Sequence, residues 1–343
     1  MREAIDEAWL TTLPKVELHL HLEGSMSVET VARLVAEQGT NVLDTYPGGL
    51  PEAFSFVDFP DFIRQYLFGL SLLRTGEDIA GAVDDLATTL AGQNVRYAEI
   101  TTTAYLHFQG FAGKPLLSPT EYRDGLDEGR RRAAAHGVEI GWVVDIPREI
   151  EPRDSTVTID YLEGPHTPAG LVSIGLGGDE VGSPAESYAP QFARGRALGL
   201  HSVPHAGETE GAHSVRSAVD HLGAERIGHG VRSLEDPELV KELADRGILL
   251  EVCPTSNHLL HVVDSIEAHP LAALVDAGVR VSINTDDPGW FATDLVGELR
   301  IAAQLLDASP ADVVALQADA LAASFAPDDV RRRIQTELAT VPT

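Results

Sequence analysis

Eight short apolar runs, each closed by Gly, Asp or Pro and followed by a stretch of helical period, set the frame for this chain. They begin at Val16 (VELHLHL), Arg96 (RYAEIT), Ile140 (IGWVVDI), Leu171 (LVSIGLGG), His201 (HSVPHAGE), Arg226 (RIGHG), Ile248 (ILLEVCP) and Val279 (VRVSINTDD). Strands alternating with helices argue for a parallel sheet, because a parallel return needs a long crossover. Eight such units fit a closed (β/α)8 barrel of TIM type. An open doubly wound sheet has the same content, and periodicity alone does not separate the two.

Between the later runs the spacing predicts helices. Val215, Ala218, Val219 and Leu222 stand at i, i+3, i+4 and i+7. Asp236 and Pro237 suit an N-cap and first turn, and Gly247 suits the stop. Val296, Leu299, Ala303 and Leu306 line another helix face. No repeat, low-complexity tract or Pro/Ser-rich linker divides the chain, so residues 1–343 read as one domain. Roughly 75 residues separate the first two runs and include FSFVDFPDFIRQYLFGLSLL, rich in Phe and Leu. Residues 40–80 therefore read either as a helical excursion packed on the barrel or as a lid over its mouth. The tail, residues 309–343, opens at Ser309-Pro310 and reads as one or two capping helices.

Lys plus Arg number 25 against 53 Asp plus Glu, a formal charge of −28. That balance repels phosphate backbones and anionic lipid, so neither nucleic acid nor membrane is expected as a partner. Lysine is scarce: Lys15, Lys114 and Lys241 are all there are. The single cysteine, Cys253, makes no internal disulfide and no Cys-based zinc cluster. It is expected to pack as a small apolar group near the end of the seventh strand. The opening MREAIDEAWLTTLPK lacks a basic n-region and an apolar h-region, so no secretory signal is expected. No apolar run approaches the ~18 residues of a membrane span. A soluble cytoplasmic protein is the expectation, and a homo-oligomer stays open.

Four clusters carry chemistry, and each falls at the C-terminal end of a predicted strand, where barrel active sites are built. His19 and His21 share one face of their strand, with Leu18, Leu20 and Leu22 on the other. They read as a metal half-site or as a hydrogen-bonded core pair. His205-Ala206-Gly207-Glu208 brings an imidazole and a carboxylate to the fifth strand, and Pro204 before them suggests a bulge or an early strand end. Gly228-His229-Gly230 lets backbone or ligand approach an imidazole closely. Asp286-Asp287 is a pair of adjacent carboxylates that repel unless a cation or donors compensate. Taken singly, Asp287 reads as a turn cap and Asp286 as a satisfied core carboxylate; together the four clusters read as one site. His107, His136, His166, His213, His221, His258, His261 and His269 are expected on loops or helix surfaces in exposed or capping roles. His201 starts its strand at the opposite end of the barrel.

The ordered motifs PKVELHLHLEGS, GGDE, HAGET, RIGHG, LEVCPTSN and INTDDP resemble the adenosine/adenine deaminase branch of the metal-dependent amidohydrolase superfamily. The matches run from Pro14 to about Pro288. The resemblance implies a (β/α)8 barrel holding one Zn2+ per subunit, with His19, His21, His205 and Asp286 as ligands. It implies that Glu208 protonates purine N1, and that His229 orients and deprotonates the zinc-bound water. Asp287 would hydrogen-bond N7, and the Gly178 backbone N–H would donate to N3. Asp286 joins Glu208 and His229 in the implied catalytic set, and His21 also faces the substrate. Zinc lowers the pKa of its water to roughly 7, so hydroxide is available at neutral pH. The family's two-metal relatives need a modified lysine on the fourth strand, and none lies near it here. PCxxC and HExxH are absent, which excludes cytidine-type deaminases and zincin proteases.

Glu23 stands where nucleoside-specific members of that family carry Asp, close to the ribose 5′-hydroxyl, and Glu there also looks like the adenine deaminases. The stretch ITTTAYLHFQGF after the second strand matches neither pattern. The expected substrate is adenosine or 2′-deoxyadenosine; the alternative is adenine or a 5′-modified or N6-substituted adenosine. A phosphorylated substrate would need a cationic clamp, for which Arg148 and Lys114 are the candidates. A barrel hydrolase of esters or lactones would need no acid at Glu208. A zinc protein that only binds nucleosides would release no ammonia.

Overall fold

The computed structural model describes residues 5–110, 114–148 and 154–343; Phe111, at the end of the ITTTAYLHFQGF stretch, lies outside them. All eight predicted strands are present: β1 (Lys15–His21), β2 (Val95–Thr102), β3 (Glu139–Pro147), β4 (Leu171–Gly177), β5 (His201–Ala206), β6 (Arg226–His229), β7 (Leu249–Val252) and β8 (Val281–Ile283). They pair in parallel in sequence order. The seam between β8 and β1 closes at Asp286, whose N–H donates to the His19 carbonyl at 3.1 Å and whose carbonyl accepts from the His21 N–H at 2.8 Å. The fold is the (β/α)8 barrel. The strands are buried over most of their length, as parallel strands sandwiched between barrel interior and helices must be.

Side chains reinforce the closing seam. Asn284 Oδ1 accepts from the Leu18 N–H at 2.9 Å. Glu17 Oε1 accepts from the Thr285 N–H at 3.0 Å and its hydroxyl at 2.5 Å. Burial pushes the Glu17 carboxyl up to about 7, against the pull of these Thr285 hydrogen bonds.

The 309–343 tail forms two helices, Pro310–Ala323 and Asp328–Leu338, the first opened by a Ser309/Asp312 capping box. Asp236 caps Pro237–Arg246, and Gly247 ends it in the left-handed conformation. No helix among the described residues is long and apolar enough to cross a membrane.

Three local expectations are corrected. Pro204 causes neither bulge nor early end: it sits opposite Leu176, and pairing passes without a shift from β4 to β6 at His205. The face Val215–Leu222 is not one α-helix. Ala212–Ser217 gives way to a wider π turn over Ala218–Leu222, and the Leu222 carbonyl at its end accepts from Arg196 and Ser202. His107 and His269 are not at the surface; both are buried, one against Glu23 and the other beneath a helix start.

Candidate active site

Strand alternation sends His19 and His21 into the barrel, where they meet His205, His229 and Asp286 from across it. His21 Nε2 lies 3.1 Å from His205 Nε2 and 3.3 Å from Asp286 Oδ1. His19 Nε2 lies 3.4 Å from the same oxygen. Gly228 makes room for this: a Cβ there would come within 2.8 Å of the His19 ring.

The far sides of the rings are tied back. His19 Nδ1 meets Glu251 Oε2 at 2.8 Å. His205 Nδ1 donates to the Leu176 carbonyl at 3.0 Å. Both Nε2 atoms are thereby left as lone-pair donors aimed inward, and His19 Nε2 is buried without a hydrogen-bond partner. Separations of 3.1–3.4 Å between these donor atoms match the roughly 3.3 Å edge of a tetrahedron with bonds of ~2.0–2.1 Å. The residues fit a divalent metal.

Electrostatics agree. Burial opposes charge on His19, yet Asp286 and Glu251 push its pKa up to about 10. Burial likewise opposes charge on His21, and Asp287 and Asp286 push it up to about 9. The carboxylates demand positive charge at this point. Glu251 is held in turn by Arg226, whose Nε donates to it at 2.6 Å and whose second arm meets Glu99. A buried Glu99–Arg226–Glu251–His19 line thus runs along the barrel interior.

Glu208 is buried, and desolvation followed by the Asp286 charge raises its carboxyl well above the usual range. A carboxyl kept neutral beside a cavity is a proton donor. His229 Nε2 stands 3.7 Å from Glu208 Oε2 and 3.8 Å from Asp286 Oδ2. Burial holds His229 down to about 4. His229 and Asp286 both have left-handed backbones, with φ of 59° and 64°. Such conformations cost of order 1–3 kcal/mol for non-glycine residues and gather at functional sites. Ser256 donates to Asp286 Oδ2 at 2.6 Å.

One cavity, about 800 Å3 with its open mouth included, joins these groups. His21, His205, Glu208, His229, Asp286 and Asp287 line its polar end, with Gly178 beside them. Asp287 Oδ1 is buried and unpartnered. The helix Phe59–Leu70, from the 40–80 insert, walls the cavity with Phe59, Phe62, Ile63, Tyr66 and Leu67.

Glu23 is fully buried and does not line the cavity. Its Oε1 accepts from the Thr102 hydroxyl at 2.8 Å and lies 3.2 Å from His107 Nε2, while its Oε2 accepts from the Tyr66 hydroxyl at 3.1 Å. Arg148 spends its guanidinium on the carbonyls of Ser183 and His205, and Lys114 is exposed. Neither lines the cavity, so the two candidates for a phosphate clamp are not at the site.

The model of the adenosine deaminase family matches residues 14–341. The chain belongs to that family. It is 41% identical over 339 residues to an aminodeoxyfutalosine deaminase of Streptomyces avermitilis, covering 97% of this chain and 92% of the relative. It is 35% identical over 340 residues to an adenine deaminase of Rhodospirillum rubrum, covering 98% and 99%. The solved adenine deaminase of Arthrobacter aurescens superposes with a TM-score of 0.88 at 28% identity, covering 95% of this chain and 98% of that one. Membership in the family makes the chain a metal-dependent aminohydrolase that deaminates an adenine-type substrate.

Sequence reasoning passed over several groups that shape this site. Glu180 lies in the quoted GGDE, yet its task, holding the backbone before and after Glu208, follows from the fold. Glu251 and Asp145 had a visible signal, a carboxylate inside an otherwise apolar strand. Asn257 lies in the motif LEVCPTSN, yet its task follows from the fold, and His269 carries no signal of its own.

Proposed function

We propose that this site hydrolyses the 6-amino group of an adenine carried on a 5′-modified nucleoside, with aminodeoxyfutalosine as the first candidate. The observation that carries this reading is the 41% identity to an aminodeoxyfutalosine deaminase along 97% of the chain. The cavity walls support it. Phe59, Phe62, Ile63, Leu67, Leu106, Pro147 and Leu260 form an apolar surround, suited to a substituent less polar than bare ribose hydroxyls. Among the described residues no Lys or Arg lines the cavity, which disfavours a nucleotide. The expectation of unmodified adenosine or 2′-deoxyadenosine gives way accordingly. Free adenine is the second reading, favoured by the Rhodospirillum and Arthrobacter relatives.

In this reading a zinc ion held by His19, His21, His205 and Asp286 supplies Lewis-acid activation of water at neutral pH. The chain's own groups do the rest. Glu208 gives its proton to N1, which opens C6 to attack. Asp286 receives the proton that the water loses and passes it to the departing amine. Water adds to C6, the C6–N bond breaks, and ammonia leaves; the last hydroxyl proton returns to Glu208. Asp287 and the Gly178 N–H hold N7 and N3.

The test is ammonia release from aminodeoxyfutalosine, adenine and adenosine side by side with zinc-loaded protein. A kcat/KM for aminodeoxyfutalosine at least tenfold above that for adenosine, with adenine inert, is expected. Turnover of adenine alone transfers the chain to the second reading, and preference for adenosine overturns both.

A further inference from the structure

His229 presents only one of its ring nitrogens to the cavity. The other, Nδ1, lies 3.2 Å from the side-chain nitrogen of Asn257. Asn257 Oδ1 lies 3.1 Å from His269 Nε2, and His269 Nδ1 lies 3.1 Å from the backbone nitrogen of Leu271. All four residues are buried, so no bulk water competes for these contacts.

One end of this line fixes the rest. A backbone N–H can only donate, so His269 Nδ1 accepts, and the proton of the neutral ring sits on Nε2. That N–H needs an acceptor, so Asn257 turns its oxygen to His269 and its NH2 to His229. His229 Nδ1 therefore accepts, and the neutral ring carries its proton on Nε2, the atom facing Glu208 and Asp286. The origin of the line is ordinary helix chemistry. Leu271 opens the helix Leu271–Asp276, and its N–H has no partner within the helix.

We propose that Asn257 and His269 are positioning residues that lock His229 in the Nε2–H form, making it a hydrogen-bond donor to the attacking oxygen rather than its base. Two consequences follow. A nitrogen that bears a proton has no lone pair for a metal. His229 lies close enough to His19, His205 and Asp286 to complete a ligand quartet, and the lock leaves that place to His21. The water's proton goes to Asp286, and His229 keeps its own proton throughout. Its N–H then strengthens its hold as negative charge gathers on the oxygen.

The proposal rests on the deaminase reading for its role, but its first test needs no turnover. Ring tautomers are read by 15N NMR of the full-length, 15N-histidine-labelled protein, with and without zinc. His229 is expected in the Nε2–H form. Asn257→Asp offers only acceptors and is expected to move the proton to Nδ1. That variant should lose about 10–100-fold in kcat, with KM within about twofold and metal content unchanged. If it does not fold, His269 carries the test: Gln keeps a donor toward Asn257 and should lose at least fivefold less kcat than Phe. A wild-type His229 protonated on Nδ1, or full turnover in Asn257→Asp or His269→Phe, overturns the lock. Absence of ammonia release with an Nε2–H ring would fault the substrate reading and leave the lock standing.

Discussion

Glu180 holds Glu208 by its backbone: Glu180 Oε1 accepts the Glu208 N–H at 2.8 Å and the Thr209 N–H at 2.9 Å, and Oε2 accepts the Gly207 N–H at 2.9 Å. Burial works against ionisation of Glu180, but Arg148, Ser214 and these N–H groups keep its pKa below the usual carboxylate range. The fixed anion also helps keep the Glu208 carboxyl protonated. Glu180→Gln loses the charge and can no longer accept on both arms. It should lower kcat about 10–100-fold with zinc still bound, as checked by steady-state kinetics beside metal analysis.

Glu208→Gln isolates the proton donor itself. The amide keeps the size of the side chain but has no acidic proton for N1. Loss of a positioned acid typically costs 10²–10⁴-fold, and that range is expected for kcat, with zinc content unchanged. Near-normal ammonia release by this variant would falsify the role given to Glu208, and intact ester or lactone hydrolysis would favour a different reaction on the same barrel.

The sequence and the structure agree where a residue's periodicity decides its surroundings. Alternation in VELHLHL sends two histidines inward, and the eight apolar runs become eight strands. They part where a partner comes from far along the chain. His107 looks like a surface residue of a short helix until Glu23 and Tyr122 bury it. Pro204 looks like a strand breaker until the partner strand changes beside it. Glu23, expected to face the substrate, touches the cavity wall through Tyr66. Spacing finds side chains that share a face, but not the second layer that orients them, because Glu180, Glu251 and Asn257 act through contacts set by barrel closure.

Asp145 gives a pH dependence with a definite sign. Its carboxylate lies against Gly175 and Gly177 of the next strand, where any Cβ would come within 1.8 Å and 2.5 Å of its oxygens. Oδ1 is buried without a partner. Burial pushes the carboxyl up to about 7, against the pull of His21 and His19. A carboxyl with a raised folded pKa binds its proton more tightly when folded. Its contribution to stability is complete below the unfolded value of 3.8 and is lost as pH rises through about 7. The metal-free protein should therefore lose melting temperature relative to Asp145→Asn between these limits. Zinc, by adding positive charge nearby, should shrink the difference. A constant gap between the two proteins from pH 5 to 8 would refute this account of Asp145.

Lys15 tests stability at the opposite end of the barrel. Its ammonium is fully buried and donates to the carbonyls of Gln93 at 2.6 Å, Leu13 at 2.8 Å and Thr11 at 3.2 Å. Thr11 belongs to the last turn of the helix Glu7–Thr12, so Lys15 ties that helix to the start of β1 and to the end of the helix before β2. Lys15→Met preserves the apolar stem and leaves these carbonyls without their donor. A buried polar group stripped of its partner costs ~1–3 kcal/mol, and the carbonyls relax together, so a net loss of about 2–3 kcal/mol is expected. Denaturant unfolding should show the midpoint falling, while kcat below the transition stays at the wild-type value because the active site lies at the other end of the strands. Unchanged stability would mean that other donors, or water, serve these carbonyls as well as Lys15 does.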